Sequence, residues 1–140
     1  METMIEFNSQ NEFELKGESA YESWLNTVAE EENRIIQELG YVFCSDAFLL
    51  DLNQQYLDHD TFTDIITFDY CEEQFIRGEI YISTDRVREN AVKYEVSYTT
   101  ELKRVMVHGL LHLCGHGDKG GAEKALMRDM ETFYIDKFTS

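Results

Sequence analysis

The sequence predicts an α+β fold, a single compact domain over residues 1–140 with a mixed sheet of about four strands packed with helices. Three observations carry this. Segments with apolar residues at period two alternate with segments near the helical period, so neither class of element dominates. The chain contains no proline and shows no repeat, linker or low-complexity stretch at which it could divide. Its 140 residues are one domain's length, and 43% of them are hydrophobic, enough for a core.

In the N-terminal stretch, Ile5 and Phe7 alternate with Glu6 and Asn8, and Phe13 and Leu15 flank Glu14, which predicts short half-buried strands. Gly17 breaks the alternation; Ser19 is a fitting N-cap, with Glu22 three residues on to complete a capping box. Trp24, Leu25, Val28, Ile35, Ile36 and Leu39 recur near helical spacing, predicting a helix over residues 20–39 that stops at Gly40. The run Glu30-Glu31-Glu32 reads as its solvated face. Tyr41 to Cys44 reads as a short buried strand, and Ser45 or Asp46 caps a helix with the apolar stripe Phe48, Leu49, Leu52 and Tyr56. Asp64–Phe68 and Glu79–Ser83 are β-branched and aromatic, and both predict central strands. Thr84 or Asp85 starts a helix reaching Lys93, and Thr99 or Thr100 starts another through Leu102, Val105, Met106, Leu110 and Leu113. A last helix over 121–138 carries Ala125, Leu126, Met130, Phe133 and Tyr134.

Charge divides the chain. The net charge is −16, from 12 basic and 28 acidic residues, and all of the imbalance lies in residues 1–76, which hold 2 basic and 18 acidic side chains. A nucleic acid, which draws on Lys and Arg to neutralise phosphates, should be repelled by that half and tolerated by the second. The pool of contacts there is Arg77, Arg86, Arg88, Lys93, Lys103, Arg104 and Lys119. No run of eighteen apolar residues spans a membrane, and the N-terminus lacks the basic start and apolar core of a signal peptide. Three unpatterned cysteines, Cys44, Cys71 and Cys114, read as reduced thiols, which fits a cytoplasmic protein.

The chemistry concentrates in Val107-His108-Gly109-Leu110-Leu111-His112-Leu113-Cys114-Gly115-His116-Gly117-Asp118. Residues four apart on a helix share a face, so His108 and His112 can reach one ion. Gly115 and Gly117 end the helix, letting the chain turn back and bring Asp118 to the same face. Two imidazoles and a carboxylate, with a fourth position open to water, is a common way of holding one catalytic zinc ion. Cys114, about 200° around the helix from His112, should face the core. His116 falls at the rim of such a site and is a weak catalytic candidate.

This stretch resembles the signature of the YbeY family, the metal-dependent endoribonucleases of ribosomal RNA maturation. The family pattern reads His-Gly-x-Leu-His-Leu-x-Gly-Tyr-Asp-His; here the last three positions are His116, Gly117 and Asp118, so a carboxylate stands where the family has its third histidine. A second stretch, from Leu52-Asn53 through Tyr56 and Asp60 to Thr63-Asp64-Ile65-Ile66-Thr67-Phe68, is similar to the family's Leu-Asn-x-x-Tyr-x-x-Lys-Asp-x-x-Thr-Asp-Val-Leu-Ser-Phe. Gly78-Glu79-Ile80 resembles its Gly-Asp-Ile strand. The arginine that many members carry just after the tyrosine is Leu57 here, and His59 occupies the lysine position, a second weak catalytic candidate.

The resemblance implies a zinc-dependent endoribonuclease with ribosomal RNA precursors as substrate, ribosomal proteins as further partners, and no membrane partner; a monomer is the accompanying expectation. The alternative is a non-catalytic ribosome-assembly factor whose metal is structural or vestigial. A zinc protease is disfavoured, because its general-base glutamate follows the first histidine and Gly109 stands there.

Overall fold

The computed structural model describes residues 4–57, 64–117 and 120–138, with the backbone alone at 56 and 57. The elements run β1 (Met4–Ser9), α1 (Glu18–Glu31), β2 (Ile35–Cys44), α2 (Asp46–Leu57), β3 (Ile65–Asp69), β4 (Phe75–Ser83), α3 (Thr84–Lys93), α4 (Tyr98–Leu113) and α5 (Gly121–Ile135). Four strands form one sheet in the order β1-β2-β4-β3. β1, β2 and β4 are parallel and β3 lies antiparallel along β4. The α+β class and the four-stranded mixed sheet agree with the sequence reading. The placing of two central strands does not, because β3 is an edge. Among the described residues no helix is long and apolar enough to cross a membrane.

Alternation along the strands makes two cores. Leu39, Tyr41 and Phe43 of β2 and Ile76, Ile80 and Ile82 of β4 join Trp24, Leu25 and Val28 of α1, Val87 of α3, and Met106, Leu110 and Leu111 of α4. A smaller cluster, in which Tyr81, Ile66 and Phe68 pack with Leu49 and Leu52, covers part of the other face with α2. Tyr41 also ties the sheet to α4 by donating to the Met106 carbonyl at 2.8 Å.

The predicted helix over 20–39 is a helix and then a strand. Glu32 caps α1, and Asn33 takes a positive φ of 60°. Asn33 N–H then reaches the Glu30 carbonyl at 3.0 Å and Arg34 N–H the Ala29 carbonyl at 2.8 Å, a Schellman stop. Beyond it the register shifts between Ile36 and Glu38, a bulge in β2. The extra residue leaves Ile36 and Leu39 buried on one face although they are three apart, a spacing that imitates a helix. Gly40 sits inside β2 and ends nothing.

Phe13 and Leu15 pack on the core from a loop and belong to no strand. Gly17, at φ 78°, is the N-cap of α1 in place of Ser19, and no side chain bonds there. Ser45 caps α2 through the Phe48 N–H at 3.1 Å. α3 starts at Thr84 as expected, capped by Ser83, which accepts from Arg86 N–H at 3.2 Å. α4 starts at Tyr98, one residue before the expected Thr99, capped by Ser97, which accepts from Thr100 N–H at 3.1 Å. α5 ends at Ile135, three residues before the expected 138.

Candidate functional site

α4 carries His108 and His112 and lies across β3 and β4. Its approach depends on Gly109. A Cβ there would stand 2.9 Å from Ile80 Cδ1 and 3.0 Å from Ile65 Cδ1, inside normal contact. The residue after His108 therefore abuts the sheet, so a larger side chain at this position would meet Ile80 and Ile65.

The end of α4 is a second Schellman motif. Gly115 takes φ 101°, its N–H reaches the His112 carbonyl at 3.0 Å, and His116 N–H reaches the Leu111 carbonyl at 3.1 Å. Arg34 donates to the remaining Cys114 carbonyl at 2.9 Å. Gly117 does not share the left-handed conformation; a Cβ there would crowd the Glu123 carboxyl carbon at 3.1 Å. Cys114 is buried in the core, as its angle on the helix predicts, and burial pushes its thiol up to about 12.

His108 and His112 meet edge to face with ring centroids 4.6 Å apart. His108 Nδ1 lies 2.6 Å from Glu131 Oε2 on α5. Glu131 is 5% exposed, and its Oε1 accepts from Arg104 Nη1 at 3.0 Å. A cleft of about 520 Å³ opens beside them, walled by His108 and Glu131 and lined by Asp64, Tyr94, Glu101, Arg104, Lys124 and Arg128. Burial pushes the Glu101 carboxyl above the usual range; Arg104 pulls it back, while Asp64 and Glu131 push it further up.

His116 lies in the turn after α4, where its Nε2 is 2.6 Å from Glu32 Oε1, and Tyr134 donates to the other oxygen of Glu32. Glu32 is thus half-buried and bonded, and only part of the acidic run is the solvated face expected of it. Asp118 and His59 lie outside the described residues, as does Lys119, and the side chain of Leu57 is not described. Among the described residues no three His, Cys, Asp or Glu side chains stand together as a metal-holding group. The donor chemistry nonetheless fits a divalent ion of borderline softness: two neighbouring imidazoles, one backed by a buried carboxylate.

Sequence reasoning missed Glu131, Glu101, Lys124 and Arg128. The signal for three of them was present: Lys124, Arg128 and Glu131 are spaced by four and three, one face of α5. The expected basic pool is mostly bound elsewhere. Arg86 holds Asp46 at 2.9 Å, Arg88 sits 3.6 Å from Asp85, and Lys103 lies over the Phe138 ring at 3.8 Å. Of that pool, Arg104 lines the cleft.

Comparison with known proteins bears on the same residues. A model of the family described as Endoribonuclease YbeY matches residues 4–139. Endoribonuclease YbeY of Flavobacterium psychrophilum is 51% identical over 128 residues, covering 91% of each chain. Its counterpart in Flavobacterium johnsoniae is 46% identical over 135 residues, covering 96% of this chain and 97% of that one. A protein of Thermotoga maritima, solved in solution, superposes with a TM-score of 0.67 at 28% identity, over 96% of this chain and 89% of that one. With most of the chain matched at these identities and the fold shared, the chain belongs to the YbeY family of endoribonucleases, RNA-cleaving hydrolases that act in ribosomal RNA maturation.

Proposed function

We propose that the chain hydrolyses phosphodiester bonds of ribosomal RNA precursors at one zinc ion, held by His108, His112 and Asp118. The observation that carries this is the pair of imidazoles on one face of α4, beside a cleft with cations on its lining. When bound, the ion supplies Lewis-acid chemistry, acidifying a water and offsetting charge on the phosphoryl oxygens. The chain's own groups do the rest. Gly109 sets α4 on the sheet, so His108 and His112 project from a rigid helix. Lys124 and Arg128 on the cleft wall hold the RNA backbone, supplying the positive charge that Leu57 does not. Asp118 completes the ligand set just beyond the Gly115 turn. Three free thiols suit a reducing cytoplasm.

Metal analysis of freshly purified protein, paired with cleavage assays on precursor ribosomal RNA, tests this. Wild type should carry a single zinc per chain and cleave the RNA. His112→Ala should lose both. Cleavage undiminished in His112→Ala would refute the site.

A further inference from the structure

We infer that Glu131, polarised by Arg104, is a positioning residue that fixes His108 in its Nδ1–H tautomer, the form that presents Nε2 to a metal. The inference rests on the proposed role of His108 as a ligand and adds residues that neither the sequence motif nor the family resemblance assigns.

The argument is one of donors and acceptors. Arg104 can only donate. It is held on α5 by three acceptors: Glu131 Oε1 at 3.0 Å, Thr132 Oγ1 at 3.1 Å through Nη2, and the Arg128 carbonyl at 3.5 Å. Glu131 therefore spends Oε1 on the guanidinium and has Oε2 for the imidazole, 2.6 Å from Nδ1. A carboxylate oxygen accepts, so the imidazole proton must sit on Nδ1. In the neutral ring Nε2 then carries the lone pair, and it is the nitrogen through which His108 can coordinate. Glu131 is 5% exposed, so little water competes for its carboxylate oxygens. Outer partners of this kind orient a ligating histidine and raise its basicity. A purely structural role, pinning α5 to α4 through the charge pair, would be indifferent to the tautomer.

Glu131→Gln separates the two roles. Because Arg104 can only donate, it keeps the amide oxygen on its own side and turns the amide NH2 toward His108. Nδ1 must then accept, and the proton moves to Nε2, blocking the coordinating nitrogen. Arg104→Leu combined with Glu131→Gln removes both charges together and frees the amide to flip. Histidine nitrogen–proton correlation spectra of the metal-free proteins report the tautomer directly. Zinc affinity comes from chelator competition, and thermal melts check folding.

Glu131→Gln should move His108 to the Nε2–H tautomer and weaken zinc binding roughly 10–100-fold. The double variant should recover most of that affinity. If Glu131→Gln keeps the Nδ1–H tautomer and wild-type zinc affinity while His108→Ala loses zinc, the inference is overturned and Glu131 only pins the helices. If His108→Ala itself leaves zinc affinity unchanged, the metal site is what fails, and with it the purpose assigned to Glu131.

Discussion

Two histidine–glutamate pairs of equal length differ in the ring nitrogen used, in the backbone beneath them and in the carboxylate's second partner. His108 meets Glu131 through Nδ1 and His116 meets Glu32 through Nε2, both at 2.6 Å. The backbone under them differs: His108 rides a helix pressed onto the sheet, whereas His116 sits in the turn that follows. The carboxylates differ too. Glu131 shares its second oxygen with a guanidinium, while Glu32 shares its own with the Tyr134 hydroxyl. The first pair steers a ring that can coordinate through Nε2. The second spends Nε2 on a clasp joining the end of α1, the turn after α4, and α5. One contact distance therefore serves two purposes, and the nitrogen used separates them.

The widest separation should come from truncating each ring. His108→Ala removes a proposed ligand, so zinc affinity should fall by more than the roughly 10–100-fold that an outer-shell loss costs. His116→Ala should cost no more than that outer-shell range, since the ligands themselves remain. Chelator competition on both proteins measures this. Equal losses would mean that His116 coordinates, and the division between the pairs would collapse.

The clasp should show itself in stability. Glu32→Ala leaves His116 and Tyr134 without their acceptor and should cost about 1–3 kcal/mol in urea unfolding. Tyr134→Phe removes one donor and should cost less, about 0.5–1.5 kcal/mol. Burial, and then the bond to Glu32, raises the Tyr134 hydroxyl above its usual range, so it stays a donor throughout neutral pH. If neither variant is destabilised, the contact is incidental and the turn is held by the Schellman bonds alone.

Legibility in the sequence followed how local the signal is. α4 was readable to within a residue at its start, because its apolar stripe and its two histidines lie within one element and the Gly115 stop follows directly. β2 was misread because its bulge reproduces helical spacing at Ile36 and Leu39. The stop that could have corrected this was Asn33, a residue enriched at positive φ, but the later Gly40 looked stronger. Gly109 was legible as an absent general base but not as a packing contact, which depends on where Ile65 and Ile80 lie. Glu131 and Glu32 are distant from the histidines they bond, by 23 and 84 residues, and pairing at that range is set by tertiary packing. In a chain with 28 acidic residues, neither Glu131 nor Glu32 stands out as a histidine partner before the fold selects it.

The smallest expected effect concerns Glu101, which faces the same cleft as Glu131 but lies two turns before His108, about 10.5 Å of helix rise. Burial is the main reason its carboxyl is raised, with Arg104 opposing. A raised folded value means that the native state holds the proton more tightly than the unfolded chain does. The stability this contributes is fully present below the unfolded value and is lost as pH rises through the folded one. Glu101→Gln has no proton to lose. Relative to wild type it should gain stability as pH climbs from the ordinary carboxylate range toward neutrality, and its pH–stability curve should be flatter over that window. Urea unfolding of both proteins at several pH values measures the difference; parallel curves would show that Glu101 titrates as it does in the unfolded chain. Zinc affinity should move far less than in Glu131→Gln, because Glu101 is too far along α4 to govern the proton on His108. A zinc loss as large as that of Glu131→Gln would make the cleft's carboxylates interchangeable by charge alone, and hydrogen-bond polarity would no longer explain why one of them matters.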